Sequence, residues 1–185
     1  MAHPNILDPK STALVVIDVQ EAFRNAIPQF ENIAVRISTA VRGCNILDIP
    51  ILVTEQYPKG LGPTVEEIVL SLPEGLERIE KKTFSACGAK SFLKALNELE
   101  ISQIIICGVE THVCVSQTAH DLIADDYDVH VLTDSVASRF DHDREAGLSK
   151  LYGSGVNPSS VEMALFELMR DAGHTKFKEI QALIK

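Results

Sequence analysis

Among the side chains of this 185-residue sequence that could attack an electrophile, Cys114 holds the most suggestive place. It lies in GVETHVCV, directly after an apolar run and within the first turn of an expected helix, with Thr111 as the expected N-cap. A helix N-terminus offers unsatisfied N–H groups and positive potential. Both favour thiolate over thiol, and the same N–H groups can hold the oxyanion formed when sulfur attacks a carbonyl. Position alone also suits a small buried hydrophobe, the commoner fate of a cysteine at a strand–helix junction. Cys44 shares an apolar helical face and Cys107 sits inside a strand run, so both read as packing residues. Cys87 follows Phe84-Ser85-Ala86 near the same edge and reads as a packing residue that could also line a pocket.

A nucleophilic thiol needs a group to take its proton. Asp18 ends the first apolar run, ALVVI, and is either a turn-former or that base. Lys81 and Lys82 follow the third expected strand. A lysine beside both thiol and carboxylate would lower the thiol pKa and hold negative charge. Otherwise the pair is a solvated surface feature. His112 is two residues from Cys114, and neighbours at that spacing on a helix face different sides, which argues against a Cys–His dyad. The other histidines show no metal-ligand spacing, and no nucleophile elbow, dinucleotide fingerprint or phosphate-binding loop is present.

These groups must be held by a scaffold, and the chain spells one out. Continuous apolar runs at 13–17, 51–54 and 104–107 read as strands buried on both faces of a parallel sheet, and shorter strands are expected at 77–80 and 129–132. Helical spacing predicts helices over 29–47, 65–71, 90–99, 113–125, 139–151, 160–172 and 176–184. The Gly/Pro-rich stretch 57–63 reads as an exposed loop. Repeated strand–helix units predict one domain over 1–185, a three-layer αβα, doubly wound, mostly parallel sheet of about six strands, Rossmann-like. Functional groups gather at the carboxyl edge of such sheets. Asp18, residues 54–56, Lys81, residues 108–114 and Asp134 all fall just past an expected strand.

Composition narrows the class of partner. A net charge of −9 with no basic cluster argues against nucleic acid and anionic membranes, leaving a small-molecule substrate. The N-terminal residues hold no apolar signal-like stretch, and no run approaches a membrane span, so the expected location is the cytoplasm. Four cysteines without a C-x-x-C pair read as free thiols in a reducing compartment. Met163, Phe166, Met169 and Phe177 leave apolar helical faces for contact between subunits, so a homo-oligomer is expected.

Four motifs, ALVVIDVQEAF, LVTEQYPKGLG, IEKKTFSAC and GVETHVCV, stand in an order and spacing that resembles the isochorismatase-like hydrolase family. The resemblance spans nearly the whole chain, including DSVASR. It implies a catalytic triad of Asp18, Lys81 and Cys114. The family lysine precedes an aromatic-Ser pair by three positions, so Phe84-Ser85 selects Lys81 over Lys82. The resemblance also implies a cis peptide at Val109–Glu110, with the N–H groups of Glu110 and Cys114 forming an oxyanion hole. Covalent hydrolysis of a small amide or related carbonyl compound would follow. Gln20, Phe23, Gln56, Tyr57, Phe84 and Thr111 neighbour the triad and are the substrate-pocket candidates. Nicotinamidase-like members carry a metal-binding Asp-x-His and a further histidine after the second strand. This chain reads TEQYPKGLGPT there, so no metal and no cofactor are expected, and the stretch is closer to the isochorismatase domain-containing proteins. Cys87 stands where many relatives carry an aromatic residue. The family's tendency to form dimers or larger assemblies agrees with the apolar helical faces. Two other readings remain: a vinyl-ether hydrolase of the isochorismate type that need not use the cysteine, and a non-catalytic binding protein that keeps the pocket.

Overall fold

The structure is a computed structural model that describes residue 3 and residues 5–185. Six strands form one sheet: β1 (Thr12–Ile17), β2 (Ile51–Gln56), β3 (Arg78–Lys81), β4 (Gln103–Val109), β5 (Asp128–Ala137) and β6 (Asn157–Ser159). Their order is β3-β2-β1-β4-β5-β6, and every pairing is parallel. Around the sheet lie α1 (Phe30–Ile46), α2 (Pro58–Leu61), α3 (Glu66–Val69), α4 (Lys90–Asn97), α5 (Ser116–Ala124), α6 (Asp141–Gly153), α7 (Val161–Met169) and α8 (Phe177–Ile184).

The continuous apolar runs are explained by burial on both faces. Along β1, Leu14 and Val16 join a core packed by α1, α3, α7 and α8. Ala13, Val15 and Ile17 point the other way, into a core packed by α4, α5 and α6. β4 alternates in the same manner, Ile105 and Cys107 against Ile104 and Ile106. Strand order reverses between β1 and β4, the switch point beyond whose carboxyl ends an open α/β sheet forms its crevice. Asp18 leaves β1 at that point, and the Cys114 turn leaves β4 beside it.

Several boundaries differ from the sequence expectation. β2 and β4 run two residues further than expected, so residues 54–56 and Gly108 lie inside strands. β5 continues past Leu132 through Thr133, Asp134 and Ser135, because these polar side chains find partners. Thr133 Oγ1 donates to the Ser159 carbonyl at 3.0 Å, and Asp134 accepts from the Val161 N–H at the start of α7. α7 ends at Met169, where Arg170 takes a left-handed φ of 66°. The apolar faces expected between subunits are mostly used within the chain. Met169 is buried in the core, and Phe166 and Phe177 pack on each other at 6.2 Å. Met163 remains 50% exposed.

Candidate active site

Asp18 follows the last residue of β1 in a left-handed turn, φ 51°, a conformation a short carboxylate side chain tolerates. Its main chain stays tied to the sheet, with the N–H donating to the Thr54 carbonyl at 3.2 Å. Thr54 Oγ1 donates to Oδ1 at 2.7 Å, and Lys81 Nζ donates to Oδ2 at 2.6 Å. Both charged side chains are fully buried. A desolvated ion pair survives only when its remaining protons and lone pairs are satisfied. Lys81 Nζ also reaches Gln56 Oε1 at 2.8 Å, the Phe84 carbonyl at 2.9 Å and the Thr83 carbonyl at 3.2 Å. Strand periodicity explains why Lys81 is chosen: Ile79 points inward from β3, Lys81 shares its face two residues on, and Lys82 is exposed.

Gly108 sits at the end of β4 with φ 118°, and a Cβ there would fall 2.1 Å from the Ile17 carbonyl oxygen. Only glycine lets β4 approach β1 so closely before the chain turns. The Val109–Glu110 peptide is cis, as the resemblance implied. Residues Thr111–Val115 then form a π-helical turn that feeds α5, with the Glu110 carbonyl accepting from the Val113 and Val115 N–H groups at 3.1 and 3.2 Å. Thr111 is therefore not the N-cap expected from the sequence. The wider turn moves the cap to Glu110, and no side chain caps it.

Cys114 is 7% exposed and lies close enough to Asp18 and Lys81 for both charges to act on its thiol. Its thiol is pushed up to about 12, first by burial and then by the Asp18 charge, with Lys81 opposing. The resting residue is a neutral thiol, contrary to the thiolate expected from a helix N-terminus. Desolvation and the adjacent carboxylate outweigh the local dipole. The turn is anchored from below: Thr118 Oγ1 donates to the Cys114 carbonyl at 2.7 Å and accepts from the Ala86 N–H at 3.0 Å.

The other expected site residues take different places. Gln56 contacts Lys81 directly. Gln20 is buried and committed to backbone, donating to the Gln56 and Gly62 carbonyls at 3.0 and 2.7 Å and accepting from the Gln56 N–H at 2.7 Å. It holds Gln56 in place. Phe23 is half-buried against the core rather than free at the edge. Tyr57 and Phe84 are each 53% exposed at the surface. Thr111 is fully buried, and its Oγ1 is the one buried side-chain polar atom among the described residues without a hydrogen-bond partner.

His112 turns away from the thiol, its Nδ1 2.9 Å from Ser138 Oγ. The Glu110 carboxylate accepts from the Arg139 N–H and Nε, each at 3.0 Å. Sequence reasoning placed Thr54 at the functional edge without giving it a role, and missed Thr118, Ser138 and Arg139. For Thr54 the signal was its register opposite Ile17, beside the strand that delivers Asp18. Among the described residues, no group of three or more His, Cys, Asp or Glu side chains could hold a metal ion.

Comparison with known proteins agrees with this architecture. The family model described as "Isochorismatase domain" matches residues 12–163. Isochorismatase domain-containing protein 2 of Danio rerio is 41% identical, over 100% of this chain and 92% of the relative. Among solved structures, the MAR1 ribonuclease of Caenorhabditis elegans superposes with a TM-score of 0.92 at 36% identity, covering 97% of this chain and 92% of the other. The YcaC gene product of Escherichia coli, described as an octameric hydrolase of unknown specificity, shares the fold with a TM-score of 0.85 at 22% identity, covering 97% of this chain and 94% of the other. The chain belongs to the isochorismatase domain family and carries its hydrolase fold.

Proposed function

We propose that this protein is a cysteine-dependent hydrolase of a small amide or related carbonyl compound, with Cys114 as nucleophile, Asp18 as proton carrier and Lys81 as the cation that pairs with Asp18 and orients it. The observation that carries the reading is the buried Lys81–Asp18 pair at 2.6 Å, beside which Cys114 lies close enough for both charges to act on its thiol. A structural role alone does not require a thiol beside a desolvated carboxylate, since the two raise each other's cost of ionisation.

The steps balance as follows. The Sγ–H proton passes to Asp18 as sulfur bonds to the carbonyl carbon, so charge never rests on an isolated thiolate. The oxyanion is received by the N–H groups of Glu110 and Cys114. Asp18 returns the proton to the leaving nitrogen, the C–N bond breaks, and a thioester remains on Cys114. Water then adds, giving a proton to Asp18, and collapse releases the acid while that proton returns to sulfur.

A small substrate is favoured over RNA, although one structural relative is named a ribonuclease, because a chain of net charge −9 repels a polyanion. Four free thiols suit a reducing, cytoplasmic setting, and the exposed Met163 on α7 suits a homo-oligomer. The test is turnover across an amide and ureide panel. Asp18→Asn and Cys114→Ala should each lower kcat by about 10³-fold or more. Undiminished turnover in Cys114→Ala, or pyruvate release from isochorismate that survives it, would replace the amidase reading with the vinyl-ether one.

A further inference from the structure

A cavity of about 290 Å³ opens at the β3 edge of the sheet, lined by Tyr57, Pro58, Lys59, Glu80, Lys81 and Lys82. Three observations give it a purpose. First, its charge runs against the molecule. In a chain of net charge −9, the cavity presents Lys59 and Lys82 against a single carboxylate, Glu80, while the Lys81 charge is spent on Asp18. Second, those two ammonium groups are unpartnered. Among the described residues, neither side chain makes a hydrogen bond or an ion pair, so both charges are available to a ligand.

Third, the aromatic wall is held out deliberately. Tyr57 takes φ 38°, a left-handed conformation costly for a bulky residue, and its ring stays 53% exposed. The ring lies over Gly60, where a Cβ would stand 2.6 Å from two ring carbons. Strain that keeps an aromatic face in solvent beside two free cations is the arrangement that receives a flat, anionic group.

The cavity connects to the chemistry through one side chain. Gln56 donates to the Lys82 carbonyl at 2.9 Å and accepts from Lys81 Nζ at 2.8 Å, and the Tyr57 N–H donates to the Lys81 carbonyl at 2.9 Å. Gln56 thus ties the main chain bordering the cavity to the ammonium group that orients Asp18. We infer that this cavity is an anion subsite and that the substrate is a small amide carrying a carboxylate on the part remote from the reacting carbonyl. Lys59 and Lys82 take the carboxylate, and Tyr57 takes the flat portion of the molecule. The substrate clause rests on the hydrolase reading above; the subsite itself does not.

Two measurements separate the two claims. In the first, benzoate and its neutral counterpart benzyl alcohol are titrated into the whole chain at low salt, followed by NMR or calorimetry. Benzoate should bind more tightly than benzyl alcohol, weaken with added salt, and lose about three- to tenfold in affinity in Lys59→Gln and Lys82→Gln. A second pair, Lys59→Glu and Lys82→Glu, should lose more, and thermal melts should show all four variants folded. In the second measurement, 4-carbamoylbenzoate is compared with benzamide as substrate. The preference for the anionic amide should sit in KM, and it should collapse in the lysine variants. Equal binding of benzoate by the parent and the lysine variants, or no preference over benzyl alcohol, overturns the subsite. Benzoate binding lost in the variants while neither amide is hydrolysed keeps the subsite and overturns the hydrolase reading instead.

Discussion

At the residue scale the account turns on a thiol that is neutral at rest. Burial and the Asp18 charge push Cys114 up to about 12, so free thiolate is scarce at neutral pH. Alkylation by iodoacetamide should therefore be slow at neutral pH and rise through pH 9 and beyond without levelling. Cys87, pushed up only to about 11 and half-exposed, should label sooner. Peptide mapping across pH checks this, and a Cys114 labelling rate that levels off near pH 7 would contradict it. The Lys81–Asp18 pair makes a second prediction. Lys81→Met leaves a carboxylate buried without its cation and should cost about 3–5 kcal/mol in urea unfolding. Adding Asp18→Asn should recover part of that loss, because the stranded charge is gone.

How the residues were found differs from case to case. Lys81 was singled out from Lys82 by a family motif, yet the alternation from Ile79 carries the same answer. The Cys114 pKa was not legible, because it depends on a carboxylate nearly a hundred positions away and on burial that no local pattern records. Thr111 was misread for a related reason: a capping residue and an orphan hydroxyl look alike until the turn type is known.

Elements were more legible than sites. The α1 expectation of 29–47 met Phe30–Ile46, and the runs ALVVI and ILVT became β1 and β2 with small extensions. Failures came where polarity interrupted an element. β5 runs through Thr133-Asp134-Ser135 because partners on α7 and β6 satisfy those groups, and β6, Asn157–Ser159, has no apolar β-run to announce it. The π-helical turn has no sequence signature in this chain. Gly108 was seen only as the end of a strand, although it sets how closely β4 meets β1. Gly108→Ala should destabilise the fold by about 2–4 kcal/mol and lower any activity further than stability alone explains, since the Cys114 turn starts there. Melting temperature together with kcat measured well below the melt tests this; a fully active, equally stable variant would deny the glycine its role.

At the scale of the whole molecule, doubly wound topology brings three distant stretches to one rim. The same burial sets a pH limit. His130 lies in β5 with its pKa lowered by desolvation, so the unfolded chain binds a proton more readily than the folded one. Its contribution to stability is intact above the unfolded histidine value of roughly 6.5 and is lost as pH falls below it. Urea midpoints should drop between pH 7.5 and 5.5, and less steeply in His130→Asn; identical slopes would assign the acid loss to carboxylates alone. Assembly is tested by light scattering, which should give a mass that is a multiple of 20.3 kDa.

The most direct test of the triad is intact-mass spectrometry of the enzyme quenched during turnover of a hydrolysable amide. The account predicts an acyl group on the parent chain that maps to Cys114, disappears as substrate is exhausted, and does not accumulate in Asp18→Asn. Steady hydrolysis with no adduct on Cys114, or an adduct that forms equally well without Asp18, would contradict it.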